Sequence, residues 1–577
     1  MLVLALPRTA VGPQGVDSSE LVVVATAGSL AHPPGYPLFS WLAEVLSALF
    51  PANPFATLAT GNAVLQAIAA GLVFLACAKL CRDGLLAASL ALSWVLFPAT
   101  LFTATIVEVF ALHHLLSLAI VLTALAVDRA PSRLRLLALG LLCGLGGAHQ
   151  PIVVCWAPLV VSAAMRARGG RGLLLLCAGA ALGLSPYLHL FRRFDRAPFV
   201  AFGHVETWDD LLGHVLRRAY GTFELQGNVT GLSSALPLFL IGVVLAAPLV
   251  AAGLVIGAPL LARRGTATGR ALLACAALHL ALAASLRIWP GADGAIIPSR
   301  FFPSVLLACA LAAGAAAALA APAHLAKLRF VAVLLLGPSL LQAPYALRAA
   351  DARHDPVTAE LIAAMLRDAP ENAVLLDASD ATISGFVYAQ TRGARPDVVH
   401  VADGRLPAWW QRERLAARLP FLQVLDVDDA AWRERFITAC LREGRPVVAL
   451  LGVPGVPGVV AAPLGVLREL LPAAAAPAAD EFDRRLLEVC SRWPDAIAAV
   501  DPARVEAVVL RDAHFLGSVR QRLRGRADEI ERGRVGVDAA ASLAAAARAI
   551  LDGDAPRARA LCLQALPARA APNPPAR

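Results

Sequence analysis

Asp17 and Glu20 stand three residues apart, and His32-Pro33-Pro34-Gly35-Tyr36-Pro37 begins twelve residues after Glu20. Carboxylates at that spacing share one face of a helix. So placed, either could act as a general base that takes a proton from an acceptor hydroxyl, or as a metal ligand. The same residues also read as a capping box, with Asp17 at the N-cap and Glu20 as the third helical residue. The two readings are compatible, because a cap also fixes a carboxylate's direction. Three prolines and a glycine in six residues make a stiff turn, suited to breaking a helix and equally to walling a pocket. His32 and Tyr36 on that turn are candidate substrate-binding residues.

Glu108 opens an apolar stretch in Ile106-Val107-Glu108-Val109-Phe110. A helix dipole would stabilise it there, at the same depth and on the same face as Asp17. Asp17, Glu20 and Glu108 are thus the candidate catalytic acids. His113 and His114 follow one turn on. Such a pair reads as buried hydrogen-bonding histidines, because the spacing does not suit zinc. Arg300 precedes another apolar stretch, in Pro298-Ser299-Arg300-Phe301-Phe302-Pro303. It can snorkel to the interface, or be the fixed guanidinium that a lipid-linked phosphate needs. His149-Gln150 can hydrogen-bond a ligand or cap its helix. The 191–231 segment carries Trp208-Asp209-Asp210 and Arg217-Arg218-Ala219-Tyr220-Gly221, an interfacial belt or a lid over a polar substrate.

The elements that must hold these residues are mostly apolar helices. Of 577 residues, 58% are hydrophobic and 16% charged, with mean hydropathy +0.65. A soluble domain usually carries about a quarter charged residues, so the chain is expected to be an integral membrane protein with a soluble part. Stretches long enough to cross a bilayer lie near 60–80, 84–99, 108–127, 134–150, 151–165, 172–190, 232–260, 271–286, 301–322 and 329–346, roughly ten spans. The net charge of +9 is almost all arginine, Lys79 and Lys327 being the two lysines. It suits membrane loops, and nothing in the sequence resembles a nucleic-acid motif.

Alternate turns carry Lys79 and Arg82; Arg129, Arg133 and Arg135; Arg166, Arg168 and Arg171; Arg263, Arg264 and Arg270; Lys327 and Arg329. The positive-inside rule makes those turns cytoplasmic. Asp17, Glu20, His32, Glu108, Arg300 and everything after about 347 then share the outer face. In a bacterium, which the arginine- and alanine-rich composition suggests, that face is the periplasmic side of the inner membrane. Neither an n-region nor a cleavage site marks a signal peptide in the residues before Asp17, and one further helix is expected upstream of Met1.

Beyond 347 the pattern changes. Asn372–Asp377 and Pro446–Leu451 read as short buried strands, with amphipathic helices over 357–368 and 409–419. A soluble α/β domain over 347–479 follows, then a helical, Ala/Arg-rich region over 480–577 with a disordered tail. The ten cysteines, seven of them in or beside apolar segments, form neither a disulfide framework nor a zinc site.

Taken in order, Asp17-x-x-Glu20 and His32-Pro33-Pro34-Gly35-Tyr36-Pro37 resemble the opening of the protein O-mannosyltransferase family typified by transmembrane protein 260. More loosely they resemble the C-type glycosyltransferase superfamily. Val107–Leu112, Gly144–Gln150, Tyr220-Gly221, Arg300–Pro303 and Arg395–Val398 resemble later segments of that family, the likeness running over roughly residues 7 to 410. Ser19 stands where glycine is common. The resemblance implies a polytopic helical membrane fold, with residues 1–59 as an outer-face catalytic loop and 60–346 as the transmembrane domain. It implies transfer of a sugar, mannose in the family's own case, from a polyprenyl-phosphate donor to a protein or glycan acceptor. Asp17 would then be the base. Glu20 and Glu108 would orient substrate or help hold a metal, and Arg300 with His149 would steady the departing phosphate. His32, Tyr36 and Tyr220 would contact substrate. The sequence contains no strong metal motif, and a divalent cation stays an open question. A transporter or flippase of lipid-linked saccharides is the alternative from another class, and a non-catalytic envelope-assembly protein a third. Transporters tend to show paired repeats and midplane charges. No internal repeat is visible here, and the acids fall at the outer ends of spans.

Overall fold

The short helix Ser18–Ala27 starts directly after Asp17 and stops at Gly28, whose φ of 67° is left-handed. The proline turn follows: Gly35 N–H donates to the His32 carbonyl at 2.8 Å, Tyr36 adopts φ 42°, and Pro37 opens the helix Pro37–Leu49. Proline suits that first helical position because no partner awaits its missing N–H. This is a computed structural model of the protein, and it describes residues 1–15, 17–196, 203–218, 233–288, 296–354, 356–377, 380–402, 409–424, 432–450, 455–478, 481 and 485. Tyr220 and Gly221, and the expected helical region over 480–577 apart from Glu481 and Arg485, lie outside the described residues. The chain forms two compact units, Met1–Asp355 and Pro356–Arg577.

Among the described residues, five helical segments of the first unit are long and apolar enough to cross a membrane: Pro54–Cys81, Phe110–Arg129, Pro151–Arg193, Ala267–Ser285 and Leu325–Ala349. Two bent pairs, Gly84–Val95 with Pro98–Thr105 and Leu236–Ala246 with Pro248–Arg264, bring the number to seven if each is one span. The sequence pattern suggests ten, and the difference has physical causes. Arg133–His149 has 17 residues and Phe302–Ala317 has 16, about 25 Å of helix against a core of about 30 Å. The expected spans 151–165 and 172–190 belong to one helical run, broken at Arg168 and Gly169. The bends of 63° and 110° fall just before Pro98 and Pro248, where the preceding residue is pushed out of helical conformation.

Helix Phe302–Ala317 is buried along nearly its whole length. It packs against Pro54–Cys81, Pro248–Arg264 and Ala267–Ser285, and the buried Trp94 Nε1–H donates to the Pro303 carbonyl at 2.8 Å. Helix Arg133–His149 lies against the 157–183 run through glycines. A Cβ on Gly140 or Gly144 would run into the carbonyls of Leu176 or Ala180, so backbones meet there as small residues allow. Asp83 caps the Gly84–Val95 helix by accepting from Leu86 N–H at 2.9 Å and takes Arg329 on its other oxygen at 2.6 Å. Two of the basic turn segments singled out in the sequence are thereby tied together.

In the second unit, strands β1 (Val374–Asp377), β2 (Val399–Ala402), β3 (Val447–Ala449), β4 (Val459–Leu464) and β5 (Leu467–Pro472) form one sheet in the order β2-β1-β3-β5-β4. β1 pairs parallel with β2 and β3, with Val374 opposite Val399 and Val447. β5 runs antiparallel to β3 and β4. Leu375, Phe386, Val448 and Leu467 contribute to its core. Arg395 there is structural: it bonds Asp397 and the carbonyls of Leu366, Ala369 and Pro370.

Candidate active site

Asp17 occupies the N-cap position of Ser18–Ala27, yet its side chain makes no capping bond. Instead its Oδ2 accepts from Arg300 Nη1 at 2.7 Å. The same Nη1 donates to Glu108 Oε1 at 2.5 Å. One guanidinium nitrogen thus bridges two carboxylates that lie 283 and 192 residues from it in sequence. Arg300 is held among buried groups at the start of the Phe302–Ala317 helix and does not snorkel.

Glu20 is not a capping partner either. Its Oε1 accepts from the backbone N–H of His32 at 2.6 Å and from His32 Nδ1 at 2.9 Å. His32 Nε2 meets the Tyr36 hydroxyl at 3.1 Å. The first carboxylate is tied to Glu108 through Arg300, and the second fastens the proline turn. The structure therefore brings Asp17, Glu20, His32, Tyr36, Glu108, His149 and Arg300 into one cluster.

The Glu108 segment owes its placement to a break between helices Pro98–Thr105 and Phe110–Arg129. A buried break leaves carbonyls without helical partners, and here side chains supply them. Asn62 Nδ2 donates to the Ile106 and Glu108 carbonyls at 2.9 and 2.6 Å. Ser18 Oγ donates to the Val107 carbonyl at 2.9 Å, and His149 Nε2 donates at 2.9 Å to the Val109 carbonyl, which also takes the first helical bond from His113 N–H at 3.2 Å. Glu108 Oε2 then accepts from Val109 N–H at 3.2 Å. Neither Asn62 nor Ser18 stands out in the sequence as a site residue. The available signal was an asparagine inside an apolar span, where polar residues are rare and have partners.

Exposure separates the acids. Asp17 leaves 22% of its side chain exposed, against 0% for Glu108 and 3% for Glu20. Burial works to raise the Asp17 pKa, but Arg300 foremost, then His32 and Arg217, outweigh it and hold the carboxyl below its ordinary value. In Glu108 burial prevails over Arg300 and, with Asp17 adding to it, raises the pKa. Burial opposes the charge on His32, but Glu20 and then Asp17 lift its pKa to about 9. An imidazolium, a guanidinium and the more distant Arg217 therefore face the acids at neutral pH. Arg217 was legible only as one of a basic pair on a loop.

Asp17, Glu20 and His32 each bring one ligand atom within 4.8 Å of the others, the one such group among the described residues. A cation there would have to displace the His32 proton and compete with Arg300 for Asp17. The donors already present suit an ion-pair lattice better than a metal centre. His114, in contrast, is a satisfied buried histidine, bonded to Gln66 Oε1 at 3.1 Å and Ser304 Oγ at 3.2 Å.

Residues 17–168 match the family described as the protein O-mannosyl-transferase TMEM260 N-terminal domain. The chain is 32% identical over 252 residues to protein O-mannosyl-transferase TMEM260 of Mus musculus, covering 40% of this chain and 34% of that one. It is 25% identical over 248 residues to protein O-mannosyl-transferase tmem260 of Dictyostelium discoideum, covering 38% and 30%. The chain thus spans about a third of the length of the curated relatives it matches. Among solved structures it is similar to ArnT from Cupriavidus metallidurans in the apo state, with TM-score 0.48 and 13% identity over 83% of this chain and 97% of that one. The same protein bound to undecaprenyl phosphate gives TM-score 0.48 and 14% identity over the same shares.

Proposed function

We propose that this chain, whose residues 17–168 match the protein O-mannosyl-transferase TMEM260 N-terminal domain family, is a membrane glycosyltransferase. It moves a sugar, mannose by analogy with the relatives' names, from a polyprenyl-phosphate donor to a hydroxyl of a protein or envelope acceptor. The observation that carries this reading is the bridging of Asp17 and Glu108 by Arg300 at 2.7 and 2.5 Å, with Asp17 the acid that meets open space.

Asp17 takes the proton of the acceptor hydroxyl. The hydroxyl oxygen attacks C1 of the sugar, the C1–O bond to phosphate breaks, and its electron pair leaves on the phosphate. The negative charge that grows there meets Arg300, whose buried Nε has no hydrogen-bond partner among the described residues. Fixed charge aimed at a leaving group is the kind of effect that lowers such barriers most. Glu108, wholly buried, positions Arg300. Glu20, also buried, holds His32 and the turn and serves as a positioning residue. The arginine-bearing turns support a site on the outer, periplasmic face of an inner membrane.

The test is turnover by the full chain in proteoliposomes, given polyprenyl-phosphate mannose and candidate acceptors. Asp17→Asn is expected to lose about 10²- to 10⁴-fold in kcat, the usual worth of a positioned base. Unchanged turnover would remove Asp17 from this role. Passage of the intact lipid-linked sugar across the membrane without cleavage would replace the transferase by a transporter.

A further inference from the structure

The 191–231 segment, an interfacial belt or a lid by its sequence, begins with an arginine that the charge lattice does not use. Arg193 lies on helix Leu190–Arg196 and is 1% exposed. Its Nη1 donates to the Val24 and Ser29 carbonyls, each at 3.1 Å. Its Nη2 pairs with Glu44 at 2.6 Å. Val24 belongs to the last turn of helix Ser18–Ala27 and Glu44 to helix Pro37–Leu49. Ser29 stands between them, on the stretch that leads into the proline turn. One guanidinium therefore joins the three parts of the hairpin that carries Asp17, Glu20 and His32.

Neighbouring contacts follow the same line. Gly35 adopts φ 90°, and a Cβ there would come within 2.8 Å of Leu190 Cδ1 and 3.1 Å of His214 Nε2. The proline turn thus lies directly against two helices of the segment, Leu190–Arg196 and Trp208–Val215. The Trp41 and His189 rings lie 5.3 Å apart, and Leu30, Leu190, Val205 and Leu211 share one buried apolar cluster.

Helix Ser18–Ala27 is buried from Ser18 to Ala25. Apolar packing is non-directional, so it resists lifting the helix out more than sliding it along its axis. Directional bonds at the two ends oppose that slide. Arg300 holds Asp17 at the start, and Arg193 holds Val24 in the last turn. The last carbonyls of a helix have no helical partner, and a cation beside them suits the helix dipole. The helix has ten residues and is about 15 Å long. A shift at its far end is therefore passed on to Asp17 and Glu20. We infer that Arg193 is a positioning residue for the transfer, and that the stem of the 191–231 segment is a clamp on the catalytic hairpin. The inference rests on the glycosyl-transfer reading and adds to it a residue outside the acid cluster, which acts through the helix that carries the acids.

The test joins hydrogen exchange to kinetics on the full chain in nanodiscs. In Arg193→Met the amides of residues 24–36 are expected to exchange about 10- to 100-fold faster, the worth of a hydrogen bond to a charged group. Those of helix Phe302–Ala317 should keep their rates. The kcat for sugar transfer should fall by a similar factor, while the donor KM stays within about 3-fold of the native value. Arg193→Lys keeps the cation but cannot hold two carbonyls and a carboxylate in one plane. It should recover part of both losses, and it carries the same two measurements should Arg193→Met fail to fold. Unchanged exchange over 24–36 would overturn the clamp. Faster exchange with unchanged kcat would leave Arg193 purely structural and overturn its positioning role. So would exchange that rises equally in Phe302–Ala317, the mark of a general loss of stability. A native chain without transfer, in which Arg193→Met still loosens 24–36 alone, would leave the clamp standing and overturn the transferase. Transfer with exchange untouched by the substitution would do the reverse.

Discussion

Replacing Arg300 by methionine tests the charge lattice directly. Methionine is close in length and carries no charge, so the change leaves Asp17 and Glu108 facing each other without the nitrogen that bridges them. Breaking a buried ion pair by removing one partner costs about 3–5 kcal/mol. Asp17 is partly exposed at 22%, and solvent will screen part of its share, so about 3 kcal/mol is the expected loss. Most of it is the cost of an orphaned Glu108. The double variant Arg300→Met with Glu108→Gln should therefore recover about 2 kcal/mol, measured by chemical unfolding in mixed micelles as a thermodynamic cycle. If Arg300 clamps the leaving phosphate as proposed, activity should not recover, and kcat should stay down about 10²- to 10³-fold. The pH profile moves as well. Arg300 foremost holds the Asp17 pKa below its ordinary value against burial. In the native protein Asp17 then stays ionised to a lower pH than an ordinary aspartate, and the pair's contribution to stability is lost only as pH falls through that depressed pKa. Without Arg300, burial is opposed only by His32 and Arg217. The acid limb of activity in Arg300→Lys, which keeps the charge, should therefore lie below that of Arg300→Met. Additive stability losses in the cycle, with no recovery in the double variant, would refute the charge-pairing account.

Asn62→Ala should cost about 2 kcal/mol, since it strips the Ile106 and Glu108 carbonyls of their donor. It should lower kcat more than it raises KM, because it acts by loosening Glu108; equal effects on the two would contradict a positioning role. For His32 the folded pKa is raised to about 9, so its contribution to stability is full below the unfolded value near 6.5 and is lost as pH rises through about 9. Unfolding measured from about pH 6 to about pH 10 should show that decline in the native chain and a flatter curve in Glu20→Gln.

The acids and the proline turn were legible because their residue types are out of place beside apolar segments. Their partners were not. Capping logic paired Asp17 with Glu20 from spacing alone, whereas each carboxylate found a stronger, charged donor, Arg300 for one and His32 for the other. A charged hydrogen bond outweighs a neutral cap, and sequence distance hides where the charge will be. Asn62 was passed over as a single polar residue inside an apolar run, and Ser18 because it stands between the more conspicuous Asp17 and Glu20. Helix lengths misled where a proline bends a continuous apolar run, as at Pro98 and Pro248, whereas the break at Arg168 and Gly169 falls between the two spans read there. In the second unit, the apolar runs within Asn372–Asp377 and Pro446–Leu451 announced short buried strands, which the structure pairs in parallel as Val374–Asp377 and Val447–Ala449. The β4–β5 hairpin did not announce itself, although Gly465, at φ 57°, stands at the first position of its two-residue turn, a recognised hairpin signal.

The Ile106–Val109 break links these observations. Irregular backbone buried in protein is tolerated only where other groups satisfy its hydrogen bonds. Here the Ile106, Val107 and Glu108 carbonyls are met by side chains of Asn62 and Ser18, and His149 adds a second bond to the Val109 carbonyl, which already accepts from His113 N–H. A helix continued through 106–109 would have needed none of them. What the break gains is the position of Glu108, which leaves the helical path and reaches Arg300. The same three side chains therefore couple backbone satisfaction to charge placement, and His149 does so while keeping its second nitrogen unspent. A substitution at any of them should disturb the acids through the backbone, without touching a carboxylate.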